Sequence, residues 1–286
     1  MRMLHAIAAA SAIALAACAP GDAGEGSATG QEAQEDRKLA EVLAHERRAE
    51  DAARDEFRNP AETLGFFQLA PDQTVLEYAP GGGWYTRILA PYLADEGGYV
   101  AVSFDPDNIE SLPAEFRAQV REGGETFSAT QSEALGIEAE KLPFHFGNEV
   151  PDELDGTVDR VLIIRMMHNL IRWGIAESEI AALRDTMKDD ALLGVVQHRA
   201  KPDAPDDYVD GNNGYLKRDD LVAFFEANGF ELIDESEINA NPRDTADHES
   251  GVWTLPPTYA RGDEERETYA AIGESDRMTL LFRKAE

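Results

Sequence analysis

Cysteine is almost missing from this chain: Cys18 is the only one in 286 residues, so no intramolecular disulfide can form. Basic residues are scarce too, 26 against 56 acidic ones, and a net charge of -30 repels a phosphate backbone, which removes nucleic acid from the expected partners. The acidity itself reads as a heavily solvated surface, with a specific cationic partner as the other reading. The six histidines are scattered, with neither an HExxH pair nor a set of cysteines beside them, so no metal centre is expected. The absence of a G-x-S-x-G elbow argues against an α/β-hydrolase. No internal repeat and no heptad pattern is present. What the chain does have, 43% hydrophobic residues, suffices for one substantial core.

The N-terminus reads MRMLHAIAAASAIALAAC, with Arg2 near the start, an apolar stretch over 6–15 and small residues before Cys18. This is the pattern of a secretory signal, too short to span a membrane. The box Leu15-Ala16-Ala17-Cys18 resembles the bacterial lipoprotein signal. The resemblance implies removal of residues 1–17, acylation of Cys18 and anchoring to a membrane of the cell envelope on its periplasmic side. A lone buried cysteine is the alternative. Residues 19–29 are too poor in apolar surface to fold and read as a tether, and 31–57 read as a charged, alanine-rich helix. Tether and helix make up 18–58. Asn59-Pro60-Ala61-Glu62 then has the form of a capped helix start, opening a compact domain over 59–286.

Short apolar runs follow at 74–79, 99–104, 158–164, 192–197, 230–233 and 279–282, with helical patterns at 84–93, 107–121, 177–187 and 218–228 between them. Near-continuous apolar strands alternating with helices predict an α/β fold, a doubly wound and mainly parallel sheet covered on both faces. Ligands of such sheets bind beyond the carboxyl ends of the strands. Just there, after the first run, stands Ala79-Pro80-Gly81-Gly82-Gly83, with Glu77 inside the run. Bare glycine backbone at a strand-to-helix turn suits a ligand lying against the main chain, and equally a tight turn with no ligand. Asp105 ends the second run. Its carboxylate can bond both hydroxyls of a ribose, or it can open a turn with Pro106.

The dinucleotide fingerprint fails, because Thr86 stands where its third glycine belongs. Glu77-x-Ala79-x-Gly81-x-Gly83 instead resembles motif I of the class I S-adenosylmethionine-dependent methyltransferases, with Ala79 in place of the first glycine. Gly147-Asn148 and the run from Asp159 to His168 resemble that family's later motifs. PGGGWYT, VWTLPP and GESDRMTLLF together look like a subgroup of predicted bacterial methyltransferases with export signals. The resemblance implies a Rossmann-like sheet ending in an antiparallel C-terminal hairpin, S-adenosylmethionine as cofactor, and methyl transfer to a small-molecule acceptor. It implies that Gly81, Gly82 and Gly83 approach the methionine part, that Glu77 holds the loop and the ammonium group, that Asp105 binds the ribose and that Asn148 lies near the adenine edge.

His168, at the end of the fourth strand, is then a candidate to orient the acceptor or take its proton, or a packed structural histidine. His198 occupies a similar rim position after the fifth. The insertion 239–276 reads as a substrate-side wall or a dimer contact. Export would separate the domain from the cytoplasm where such a cofactor is made. An exported lipoprotein that keeps the fold as a binding module, without catalysis, is therefore the alternative.

Overall fold

The computed structural model describes residues 25–285. Cys18 and the signal lie outside the described residues. Seven strands form one sheet in the order β3-β2-β1-β4-β5-β7-β6. They are β1 (Thr74–Tyr78), β2 (Gly98–Ser103), β3 (Phe144–Phe146), β4 (Val158–Ile164), β5 (Met187–His198), β6 (Phe230–Ser236) and β7 (Arg277–Lys284). The first five pair in parallel, and β7 runs antiparallel to both β5 and β6. The doubly wound sheet and the antiparallel C-terminal pair are as expected.

The strands bury alternate residues in two cores. Leu76, Tyr78, Val100, Val102, Val161 and Ile163 face one, with α6 (Met167–Arg172), α7 (Ala176–Thr186) and α8 (Arg218–Ala227). Val75, Tyr99, Ala101 and Leu162 face the other, which is covered by α1 (Glu25–Leu43), α3 (Pro60–Phe66) and α4 (Thr86–Leu93). Burial on both faces is why these strands read as continuous apolar runs. Among the described residues no helix is long and apolar enough to cross a membrane.

Several local expectations are corrected. The compact unit begins before residue 59, because Val42 of α1 packs into the second core. Residues 25–29, expected in a tether, start that helix. The charged helix expected over 31–57 stops at Leu43 and gives way to short turns and α2 (Asp55–Arg58). Arg48 explains the break: wholly buried, it donates to the Leu43 carbonyl and pairs with both oxygens of Asp55, folding the chain back over the helix end. Asn59 precedes α3 with a left-handed backbone, but its side chain donates to the Ile238 carbonyl instead of capping. β3 is a three-residue strand that no apolar run announced.

The helix expected over 107–121 is α5 (Ala114–Leu135), starting only after Pro113 and continuing through Gly123 and Gly124. Gly124 lies directly beneath β3, where an added methyl would stand 2.5 Å from the Phe144 ring and closer still to Phe146, whereas one on Gly123 meets nothing within 4 Å. The two glycines should therefore respond to alanine with opposite signs. Gly123→Ala should gain about 0.5–1 kcal/mol from helix propensity, and Gly124→Ala should lose about 1–2 kcal/mol to overpacking, both read from urea denaturation midpoints.

Candidate functional site

The strand order reverses between β1 and β4, and a crevice opens beyond their carboxyl ends, the expected ligand position in such a sheet. Both strands leave the sheet through non-glycine residues in the left-handed region, Ala79 at φ 52° and Arg165 at φ 57°. Each conformation costs about 1–2 kcal/mol. Each is held by a backbone N–H bond to the neighbouring strand, Ala79 to Val102 at 2.7 Å and Arg165 to Val196 at 2.6 Å. Gly81 follows at φ 55°, and a Cβ there would meet only the Ala79 carbonyl, at 4.0 Å. The motif I resemblance places a glycine where Ala79 stands, and the positive φ supplies the reason for that preference.

Two cavities meet at this turn and share Ala79, Pro80, Gly81, Met166 and Asn169. One is an aromatic cleft of about 400 Å³ whose walls include Phe104, Phe116, Phe127, Phe144 and Trp173. Phe104 and Trp173 lie 4.7 Å apart, and Phe116 is one of the few large apolar residues left exposed. The other is a polar chamber of about 410 Å³, reached by Glu77, Gly82, Arg58, Arg165, His168 and His198, with Trp253 of the insertion on its wall.

The glycine turn is clamped from the N-terminal segment. Arg87 donates twice to Asp51, at 2.5 and 2.8 Å, and once to the Gly82 carbonyl at 2.7 Å. Trp84 donates to the Asp51 carbonyl, and the guanidinium groups of Arg48 and Arg58 lie 5.1 and 4.6 Å from its ring. Beneath the turn, the Glu77 carboxylate accepts from Thr86 at 2.7 Å and Tyr99 at 2.6 Å. Complete burial, partly offset by those bonds and by Arg87, pushes Glu77 up to about 7.

The chamber holds more positive charge than negative. Glu274 accepts from Arg54 at 2.6 Å and from Arg58 at 3.3 Å, and also pairs with Arg277. Arg165 adds a fourth guanidinium to the group. Burial first, then the other guanidinium groups, pulls Arg58 and Arg165 below the usual arginine range. The His168 and His198 rings lie 5.6 Å apart, tilted 59° to each other. His168 Nδ1 lies 3.3 Å from the Gln197 amide and His198 Nδ1 2.5 Å from Ser275 Oγ. Burial lowers His168 to about 4 and His198 well below its ordinary value, so both rings are neutral at pH 7 and weak as bases.

Thus the structure brings Glu77, Gly81, Gly82, His168 and His198 together. Gly83 turns away: a side chain there would meet Gln131 and Arg87, not a cavity. Asp105 is buried at the end of β2, where it pairs with Arg121 and accepts from the Asp107 amide at 3.0 Å, capping the turn 106–108. Asn148 lies in the turn Gly147–Glu149 after β3. Sequence reasoning missed Arg54, Arg58, Arg165 and Asn169. A left-handed arginine has no local signature, and Arg58 resembled one more charge on a solvated helix.

No family model matches the chain, and no curated protein matches it in sequence. Among solved structures it is similar to a SAM-dependent methyltransferase from Aquifex aeolicus, at 17% identity over 70% of this chain and 93% of that one, with a TM-score of 0.47. It is similar to the cyclase SpnF at 14% identity over 80% of each chain, TM-score 0.48. It is also similar to a Burkholderia thailandensis 1,6-didemethyltoxoflavin-N1-methyltransferase with bound S-adenosylhomocysteine, at 13% identity over 94% of each chain, TM-score 0.46. At such identities the likeness concerns the fold alone. The strand order itself is that of the Rossmann-like methyltransferase fold, with five parallel strands and an antiparallel C-terminal pair.

The site's buried acid and imidazoles oppose each other in pH. Glu77 is raised from 4.5 to about 7, so its contribution to stability is complete below 4.5 and is lost as pH rises through 7. His168 is depressed from 6.5 to about 4, so its contribution is complete above 6.5 and is lost as pH falls through 4. Glu77→Gln keeps an acceptor for Thr86 and Tyr99 but does not titrate. Relative to the variant, the parent should lose about 1 kcal/mol or more between pH 5 and pH 8 in urea denaturation. A pH-independent difference would contradict the burial of a protonated Glu77.

Proposed function

We propose that the chain is an S-adenosylmethionine-dependent methyltransferase acting on a small-molecule acceptor. The observation that carries this reading is the Gly81 turn at the sheet's switch point, open to an aromatic cleft on one side and a polar chamber on the other. The cleft suits a flat heteroaromatic base, which Phe104 and Trp173 would face. Asp105, which follows Ser103 and Phe104 of the cleft wall, would bond the ribose hydroxyls, and Asn148 would lie near the adenine edge. Gly81 and Gly82 let the methionine part lie on the main chain above Glu77.

The cofactor, held by Gly81, Gly82, Glu77 and Asp105, would supply an electrophilic methyl carbon to a nucleophilic acceptor. This chain's residues then have to align the acceptor, exclude water and take a proton. His168, neutral and lining the chamber, would orient the acceptor, with His198 and Trp253 as neighbours. The N-terminal motif adds a location, lipid-anchored through Cys18 to the cell envelope. Cys18→Ala should abolish palmitate labelling in cells, and unchanged labelling would overturn that location.

Calorimetry with S-adenosylmethionine and S-adenosylhomocysteine tests the cofactor. Both should bind saturably, and an ammonium group seated at Glu77 should expel the proton held there, about half a proton at pH 7 given a free-state value near neutrality. The binding enthalpy should therefore vary with the ionisation enthalpy of the buffer, and Glu77→Gln should remove the variation. If neither ligand binds, the chain is a binding module for something else.

A further inference from the structure

We infer that the polar chamber is an anion site, built to hold a carboxylate in the fork of Arg58 with help from Arg54 and Arg165. Arg58 is 2% exposed and lines the chamber, yet neither of its terminal nitrogens makes a hydrogen bond. Arg54 Nη2 and Arg165 Nε, on the same wall, are also buried without a hydrogen-bond partner. Buried guanidinium donors left unmatched are costly, and a chain selected for stability alone would replace them with apolar side chains.

The acids at hand are already committed. Asp51 is taken by Arg87, and Glu77 by Thr86 and Tyr99. Glu274 alone is spread over Arg54, Arg58 and Arg277. In a chain of net charge -30, a cationic excess gathered in one enclosed place is a local feature and not a property of the surface. Two side-by-side donors on a rigid plane match the two oxygens of a carboxylate. Trp84, Tyr85 and Trp253 line the remaining wall and suit an apolar or aromatic body attached to that carboxylate.

Where the chamber serves the methyl transfer proposed above, the cofactor's sulfonium would bring still more positive charge, which an anionic partner offsets. The carboxylate has two sources, the acceptor or the methionine end of the cofactor. The chemistry at Arg58 is the same for both.

The test titrates the full chain with benzoate, benzamide and inorganic phosphate, followed by tryptophan fluorescence and thermal midpoint. S-adenosylhomocysteine and its decarboxylated analogue form a second pair. At least one carboxylate should bind tenfold or more tightly than its neutral counterpart, and Arg58→Met should abolish that preference; Arg165→Met serves if Arg58→Met fails to fold. A preference for benzoate that survives saturation with S-adenosylhomocysteine assigns the site to the acceptor. A preference confined to the S-adenosylhomocysteine pair assigns it to the cofactor. Failure of S-adenosylhomocysteine to bind, with benzoate still preferred, would sink the methyltransferase reading and leave the anion site standing. No preference in either pair, or phosphate bound more tightly than benzoate, overturns the inference.

Discussion

Glu274 is the side chain on which the site's assembly depends. Nearly buried, it accepts from Arg54 and Arg58 of the N-terminal segment and pairs with Arg277 at the start of β7. It thereby ties the residues before the domain's first strand to the end of the long insertion and the sheet's antiparallel pair. One carboxylate cannot satisfy three guanidinium groups, and the donors left over belong to Arg54 and Arg58, which line the chamber. A second clamp, Arg87 on Asp51 and the Gly82 carbonyl, fixes the same N-terminal segment over the glycine turn. Structure and site are therefore built from the same residues, and the segment 45–58 is part of the site's wall and no mere linker.

The fold was legible because its signals are local. Runs such as 158–164 are apolar on both faces, as central parallel strands must be, and Gly81 stands where the chain leaves β1 at positive φ. Pro60 at the first turn of α3 was equally readable, since proline's missing N–H costs nothing there. β3 was not readable, because three residues carry no period and its place is set by β2 and by the flat face of α5 at Gly124.

The site was legible only where its chemistry sits on the motif. Glu77 and the glycine turn are neighbours in sequence; His198 ends β5, whereas His168 lies in the first turn of α6, just beyond the β4 end where the sequence placed it. Asp105 stands just beyond β2, and its pairing with Arg121 of α5, 16 residues further along the chain, could not be foreseen from spacing. Arg58 lies over 100 residues before Arg165 and over 200 before Glu274, and nothing but tertiary packing brings the three together. Its neighbours in sequence are charged, so its burial was hidden among solvated residues.

The Gly81 turn at the sheet's switch point is proposed to seat the cofactor, with its base in the aromatic cleft and its methionine part over the glycines. A crystal structure of the full domain with S-adenosylhomocysteine tests it most directly. The base should lie against Trp173 and Phe104, with the amino-acid end over Gly81 and Gly82 above Glu77. A ligand bound elsewhere, or clear density for an empty cleft at saturating concentration, would contradict it.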